Sequence, residues 1–469
     1  MSNPNTLEKR KKLGLPHIYA LLFLIIVVCT LLTWVLPTGS FDRVVNEATG
    51  KTVVVAGTYH AVEASPVGLF DMFRAIYEGF MDAGGVIFFV FIAYASISII
   101  ISSGAFNGLV AAMLKVFKGK ARVAIIPVFL TIIGIASSTI GLFEEWFPFI
   151  PVFVGISIAM GFDAVVGLAI VALGAGMGYS GAAMNPFTMG IAQSIAEVPF
   201  PSNMGYRVFS HGCMILVASF FLVRYALKIQ ADPSKSLVAG DDFSRFSMSE
   251  EELKKHPFGV REALVLCVLV AGIAVIVWGC RNYGWYFTEL SAVFMIMGIV
   301  SGIITGDGPN KIAEKYASGF SEVAMACMMI GLARGILMVL TAGNIIDTVV
   351  YYFSLPLMGL PDWLAAVAML VFQTLLNFLI PSGSGQAATT MPIMAPMADL
   401  LGLTRDTACL AFQFGDGLSN CLWPTAMVGI LSGLAGVKIE KWYKFFVPCF
   451  VGIFLVQALL MVGAVYLAL

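Results

Sequence analysis

The sequence predicts an all-α integral membrane protein made of two inverted repeats, each with a re-entrant helical hairpin and a broken transmembrane helix. Three observations predict it. Hydrophobic residues make up 59% of the 469 and charged residues 12%, with mean hydropathy +0.91, a balance that belongs to polytopic membrane proteins. Polar breaks interrupt the apolar runs at Pro381 to Gln386 and from Gly415 to Thr425. Non-helical backbone at membrane depth survives only where protein buries it or a watery cavity uses its free amides and carbonyls. A matching pair of breaks lies in the first half, at Ser137 to Gly141 and from Gly176-Met177-Gly178 through Asn185-Pro186.

Lys9, Arg10, Lys11 and Lys12 precede an apolar run, Ile18 to Leu36, which is long enough to cross and has no small-residue cleavage site. It reads as an uncleaved first helix with a cytoplasmic N-terminus. The loop from Pro37 to about Asp82 then lies outside, with a β-like stretch at Lys51 to Ala56 and an amphipathic helix at Gly68 to Phe80. Gly84 to Ser103 returns, and Lys115, Lys118, Lys120 and Arg122 fall inside. A hairpin spans Ala124 to Met160, the broken helix Val165 to Ala196 leads outward and Phe209 to Leu227 comes back. Lys228 to Arg261, with KIQADPSKS and SEEELKKH, is a polar connector between two halves.

In the second half Ala263 to Cys280, Leu290 to Thr305 and Val323 to Leu340 cross in turn. An amphipathic stretch, Ile345 to Phe353, leads to the second hairpin, Leu364 to Ala398, then the broken helix Ala408 to Ser432 and a last span, Phe446 to Leu467. The units are therefore 1–65, first helix and external loop; 66–228, repeat 1; 229–262, connector; 263–309, two linking helices; and 310–469, repeat 2. Only six of the 27 Lys and Arg fall outside on this map (Arg43, Lys51, Arg74, Arg207, Arg281, Arg405), with Arg334 inside a span. The positive-inside rule holds, and it holds only if both hairpins return.

The halves echo each other. Residues 75–82, AIYEGFMD, match 315–322, KYASGFSE; Ser137-Ser138-Thr139 with Pro148 matches Ser382-Gly383-Ser384 with Pro392; Asn185-Pro186 matches Trp423-Pro424. Inverted repeats with paired broken helices point to a secondary transporter with its site near the midplane. The candidate substrate-binding residues follow: Ser137, Ser138, Thr139, Glu144 and Glu145 at the first hairpin, Asn185, Pro186 and Thr188 at the first break, and Arg334. The second hairpin adds Ser382, Gly383, Ser384, Gly385 and Gln386, and the second break Asp416, Ser419, Asn420 and Thr425. Hydroxyls and amides at Ser138, Thr139, Ser384, Asn185 and Asn420 are the candidate Na⁺ ligands.

Carboxylates at membrane depth mark ion, proton or cationic-substrate paths. Adjacent helical residues point about 100° apart, so one of Glu144 and Glu145 faces the site unless both sit at a wet mouth. Asp416 is a site carboxylate or a helix cap. Arg334 needs an anion, either Asp416 or a substrate carboxylate that its fork can bind bidentately. Asp163 and Glu197 sit near helix ends and face water.

The eight cysteines and four histidines are scattered, with no CxxC and no converging ligand set, so no metal centre, cofactor or catalytic group is assigned. A net charge of −1 gives no hint of a nucleic-acid partner. A channel would need a continuous polar pore helix, and an intramembrane hydrolase built on Ser138 or Ser384 lacks a nearby histidine.

The stretches PSGSGQAATTMPIMAPMADLLGL, FGDGLSNCLWPT, SSTIGLFEEWFPFIP and GYSGAAMNPFT resemble the anaerobic C4-dicarboxylate carrier (YfcC-like) family of the ion transporter superfamily over nearly the whole chain. More distantly they are similar to the aminobenzoyl-glutamate transporters. The resemblance implies a bacterial inner-membrane carrier, often a homodimer, whose relatives are linked to C4-dicarboxylates and to basic amino acid exchange. The dicarboxylate branch carries Ser-Asn-Thr at its hairpin tips, where this chain has Ser137-Ser138-Thr139 and Ser382-Gly383-Ser384. Acidic Glu144, Glu145 and Asp416 beside hydroxyls favour an amino acid, basic ones first, over a C4-dicarboxylate, with Na⁺ or H⁺ as the coupling ion. The expectation is a carrier working by alternating access, not an enzyme.

Overall fold

The computed structural model describes residues 17–46, 51–55, 57–106, 119–246 and 259–469. The N-terminal cations, Lys115, Lys118 and the SEEELKKH motif lie outside the described residues. Nine of the described helices are long and apolar enough to cross a membrane, and the strands are confined to two short ribbons. A hydrocarbon environment requires backbone groups to be satisfied within the segment, which long apolar runs achieve only as helices.

One body is a scaffold. It contains α1 (Ile18–Val35), α2 (Leu69–Asp82), α3 (Gly84–Ser102), α9 (Val260–Tyr283), α10 (Phe287–Ile304), α11 (Pro309–Ala342) and the short α12 (Ile346–Ser354). Antiparallel strands β1 (Gly39–Ser40) with β4 (His60–Ala61), and β2 (Arg43–Asn46) with β3 (Lys51–Val54), cap it. Buried Asp347 on α12 anchors the cap, accepting from the Phe41 amide at 2.9 Å and pairing with Arg43 at 2.8 Å.

The scaffold is built on a crossing that repeats itself. Residues 69–102, which are α2, Ala83 and α3, map onto α11 at 309–342 by a constant shift of 240, and contacts between the two arms recur with the arms exchanged. A Cβ on Gly79 would stand 2.4 Å from the Gly335 nitrogen, and one on Gly319 would stand 2.7 Å from Ala95 Cα. Phe80 covers Gly331, and Phe320 meets Phe91 with ring centroids 6.0 Å apart. Arg334 pairs with Asp82, and Tyr94 donates to Glu322. On the axis, the Cys327 thiol faces the Ile87 carbonyl, and 87 and 327 are the same repeat position. Small residues at the crossing let the backbones approach closely, as helix packing in lipid favours.

The second body holds the hairpins. Hairpin one is α4 (Ile125–Ile140), a 3₁₀ turn at Glu144–Phe149 and α5 (Ile150–Ala159); hairpin two is α13 (Asp362–Leu376) and α14 (Gly383–Leu400). Phe129 meets Phe153 across the first at 5.0 Å, and Gln373 donates to Thr390 across the second at 3.0 Å. Both arms of each hairpin pack on a central helix, α6 (Ala164–Gly181) or α15 (Arg405–Ser419), and those two pack on each other. Each continues past a break as a short helix, α7 (Met189–Ile195) or α16 (Val428–Ala435). Helices α8 (Met204–Ala231) and α17 (Ile439–Tyr466) lie against this core.

The glycines read as breaking these helices sit inside them. Helix α6 runs through Gly176 and Gly178 and ends at Gly181, and α15 runs through Gly415, Asp416 and Gly417 to Ser419. Their lack of a side chain serves packing: a Cβ on Gly178 would stand 2.2 Å from the Gly134 carbonyl, and one on Gly417 would stand 2.3 Å from Ser180 Oγ. The chain breaks further on, at 182–188 and 420–427, around Pro186 and Pro424, whose rings fix φ and which lack an amide proton.

Asp163 also departs from the sequence reading, since it is 8% exposed rather than open to water. It caps α6 through the Val166 amide at 3.1 Å and accepts from Tyr225 and Ser236. The described end of the connector is docked, because Ser236 holds Asp163 and Asp241 pairs with Lys441 at 2.7 Å. Arg207, placed in an external loop by the charge map, is buried on α8, where its guanidinium donates to the carbonyls of Ala182, Ala183 and Ser202.

Candidate functional site

A cavity of about 560 Å³ lies between the two bodies. The scaffold supplies Asp82, Ala83, Gly85, Val86, Tyr286, Phe287, Ile330, Ala333 and Arg334; the hairpin body supplies Phe143, Glu144, Tyr179, Phe187, Ile191, Pro381 to Ser384, Asn420 and Thr425 to Met427 with Ile430. Both hairpin tips and the second break therefore share one chamber with the scaffold crossing.

Gly141, with φ +82°, ends α4 in the left-handed conformation, its amide bonding the Ser137 carbonyl, and this turns the chain so that Phe143 and Glu144 face the chamber. At the second tip Ser382 caps α14, so the first amides of an 18-residue helix start at the cavity wall. Arg334 donates to Asp82, one turn from the crossing, and both face the chamber. Within the protein, the partner of Arg334 is therefore Asp82 and not Asp416.

Asp416 is fully buried behind the second tip. One carboxylate oxygen accepts from Asn377 at 2.9 Å; the other has no hydrogen-bond partner and faces Gly383, where a Cβ would lie 3.0 Å away. Asn377 also reaches Gln386 and Asn420, while Gln386 donates to Gln373. Ser419 donates to the Gly415 carbonyl, and Thr425 donates to the Phe378 carbonyl at 2.7 Å. The second tip is thus tied to the second break by amides and hydroxyls around one carboxylate.

Of the remaining candidates, Ser137 accepts from Trp146, and Ser138 accepts from the Ala183 amide at 2.9 Å, which fastens the first tip to the first break. Thr139 donates to the Ile135 carbonyl within its own helix, and Glu145 accepts the Phe143 amide. Asn185 accepts from the amides of Phe187 and Thr188, leaving its own Nδ2 unpartnered beside exposed Pro186. Thr188 lies against Gly383, so the first break touches the second tip, and Gly385 donates to Ser382. Glu144, Arg334, Ser382, Gly383, Ser384, Asn420 and Thr425 line the chamber; the other candidates are not among its lining residues.

Sequence reasoning missed Asp82, Asn377, Tyr179 and Tyr286. Asp82 was legible as the acidic end of the repeated AIYEGFMD motif, and Asn377 as the polar residue just before the Pro381 break. Tyr179 lies in the GYSGAAMNPFT stretch without being singled out there, and nothing local marks Tyr286; both reach the cavity through packing of distant helices.

An all-α, multi-span chain with a polar chamber between two helical bodies is a membrane transporter. It belongs to the family described as DcuC, C4-dicarboxylate anaerobic carrier, whose pattern it matches over residues 15–466. A protein of Haemophilus influenzae with no assigned function is 29% identical, with 98% of this chain and 97% of that one covered. A protein of Escherichia coli K12 with the provisional name basic amino acid antiporter YfcC is 28% identical, with 97% of each covered. Among solved structures, the Neisseria gonorrhoeae MtrF protein, described with a class of antimetabolite efflux pumps, is 19% identical over 96% of each chain at a TM-score of 0.45. The Alcanivorax borkumensis YdaH transporter is 16% identical over 96% of this chain and 99% of its own, also at 0.45.

Proposed function

We propose that the chain carries an amino acid, basic ones first, across a bacterial inner membrane by alternating access, in uptake or exchange. The observation that carries this reading is the scaffold wall, where Asp82 and Arg334 stand side by side in the chamber. An amino acid head group brings a carboxylate to Arg334 and an ammonium to Asp82, so each charge is matched, and Glu144 across the chamber meets a cationic side chain. A dianion would meet Arg334 and the α14 amides but would face Asp82 and Glu144 unpaired, and uncompensated like charge costs affinity.

Ser382, Gly383, Ser384, Asn420 and Thr425 would contact the solute from the moving side. Asp416 with Asn377 and Gln386, and Ser138 with Asn185, would keep the two tips in position, and Na⁺ or H⁺ would be the coupled ion. The hairpin body is the part that shifts. Each ion pair between described residues lies within one body, and the bodies meet through apolar contacts such as Phe149 with Phe294 and Gly429 with Met329. Such a surface can slide without breaking buried charge pairs. Repeats 66–228 and 310–469, joined by 229–262 and 263–309, each give arms to both bodies.

A C4-dicarboxylate is the second reading, favoured by the family description and by two anion-binding groups, Arg334 and the α14 N-terminus, on one chamber. Thermal shift of purified protein with arginine, lysine, neutral amino acids and succinate, with and without Na⁺, followed by uptake into proteoliposomes, decides between them. A ligand at one hundred times its Kd adds about 2.7 kcal/mol of stability. Basic amino acids should raise the melting temperature, Asp82→Asn should abolish that shift, and Arg334→Gln should abolish the shift from every carboxylate. A shift with succinate alone would overturn the amino acid reading in favour of the dicarboxylate.

A further inference from the structure

The scaffold crossing carries two carboxylate–donor pairs related by the shift of 240, and the cavity uses one of them. Asp82 and Arg334 line it; Glu322 and Tyr94, the same two repeat positions with the arms exchanged, do not. The Tyr94 hydroxyl donates to Glu322 at 3.3 Å, and Glu322 is exposed. The crossing by itself therefore requires a carboxylate and a donor; at the cavity end the crossing itself bears a guanidinium, Arg334, whereas near Tyr94 the guanidinium is Arg245 of the connector.

We propose that Tyr94 and Glu322 form the scaffold wall of the same binding site when the hairpin body stands at the opposite side of the membrane. This rests on the reading above, that the hairpin body slides along the scaffold. The two hairpin tips are related by nearly the same shift as the scaffold arms. Contacts across the first are centred near residue 141 (Phe129 with Phe153, Ser137 with Trp146), and those across the second near 381–382 (Gln373 with Thr390, Asn377 with Gln386). Glu144 and Ser384, both lining the chamber, are thus counterparts. A site made from two related tips, carried along a scaffold with its own two-fold axis, meets an equivalent wall at the other end of its path.

The two walls differ in chemistry. On one side a solute carboxylate finds a guanidinium fixed on the crossing; on the other the crossing offers a phenol, with Arg245 supplied by the connector, while a solute cation finds a carboxylate on either side. The cationic end is held at both walls, and the crossing itself grips the carboxylate end only at the Arg334 side.

The test uses full-length protein in proteoliposomes with its eight cysteines replaced, carrying either Asp82→Cys with Ser384→Cys or Glu322→Cys with Ser384→Cys. Each is treated with a short bismaleimide, with L-arginine or succinate present or absent. Both pairs should cross-link, and the added solute should change the two yields in opposite directions. Cross-linking of 82 to 384 without any of 322 to 384 would overturn the second wall and leave the cavity reading intact. Failure of both pairs would overturn both. Independently, Glu322→Gln should slow exchange about tenfold while leaving affinity in the present state unchanged, since a hydrogen bond to a charged group is lost only at the other wall. Unaltered exchange in Glu322→Gln would count against the proposal even if the cross-link forms.

Discussion

At the scale of single residues, the protein depends on places where a side chain is absent and on a buried guanidinium held by backbone carbonyls. Gly178 lies against the Gly134 carbonyl, so Gly178→Ala should push α4 and α6 apart at a cost of about 1–3 kcal/mol, the usual range for overpacking. Gly212 on α8 has nothing near its missing Cβ, and Gly212→Ala should instead stabilise by roughly 0.5–1 kcal/mol through helix propensity. Melting curves of the two variants in detergent check both signs. Arg207 has a different task. It holds the carbonyls of Ala182 and Ala183 where Ala182 adopts φ +37°, a left-handed conformation that alanine rarely takes. Removing the guanidinium in Arg207→Met should lower the yield of folded protein, with a loss of about 2 kcal/mol or more for charged hydrogen bonds left unmade.

At the scale of elements, the two hairpins, the amphipathic helix α2 and the repeat of 75–82 at 315–322 were legible in the sequence, because polar tips between apolar arms and a repeated small-residue motif are local signals. The exact breaks were not. Gly-rich stretches mark close helix packing and chain breaks alike, and only the partner helix, here α4 against Gly178 or α6 against Gly417, tells which. The surroundings of the first tip were not legible either. Ser137, Ser138 and Thr139 are candidate site residues by sequence, and only the folded chain shows that their hydroxyls engage Trp146, the Ala183 amide and the Ile135 carbonyl. The α10–α11 turn offers an element-level test outside the spans. Lys311 and Lys315 hold the Asp307 carboxyl down to about 2, so its stabilising contribution is complete above the ordinary carboxylate range and fades as the pH falls toward 2. Asp307→Asn should lower the melting temperature between pH 5 and 8, and the gap to the parent should narrow as the pH is lowered below 4.

At the scale of the whole molecule, the division into a scaffold and a hairpin body makes a direct prediction about motion. Helix α16 rests on α11 through Gly429 and Gly433 against Met329. Joining them with Gly433→Cys and Met329→Cys should stop uptake and leave ligand-induced thermal stabilisation in place, since the cavity is already formed in this state. Uptake that survives complete cross-linking would mean that the bodies do not slide at this face. The crossing at Ile87 and Cys327 carries a consequence of another kind. Two copies of one shorter chain, lying antiparallel, would place the same amino acid at both of these positions and would change them together with every mutation. Fused in one polypeptide, the copies mutate separately, so a substitution on the axis alters the crossing once and one off the axis alters only one of its two faces. Asp82 opposite Arg334, with Glu322 opposite Tyr94, shows the second case: one repeated contact, written in two different chemistries at the two ends of the crossing.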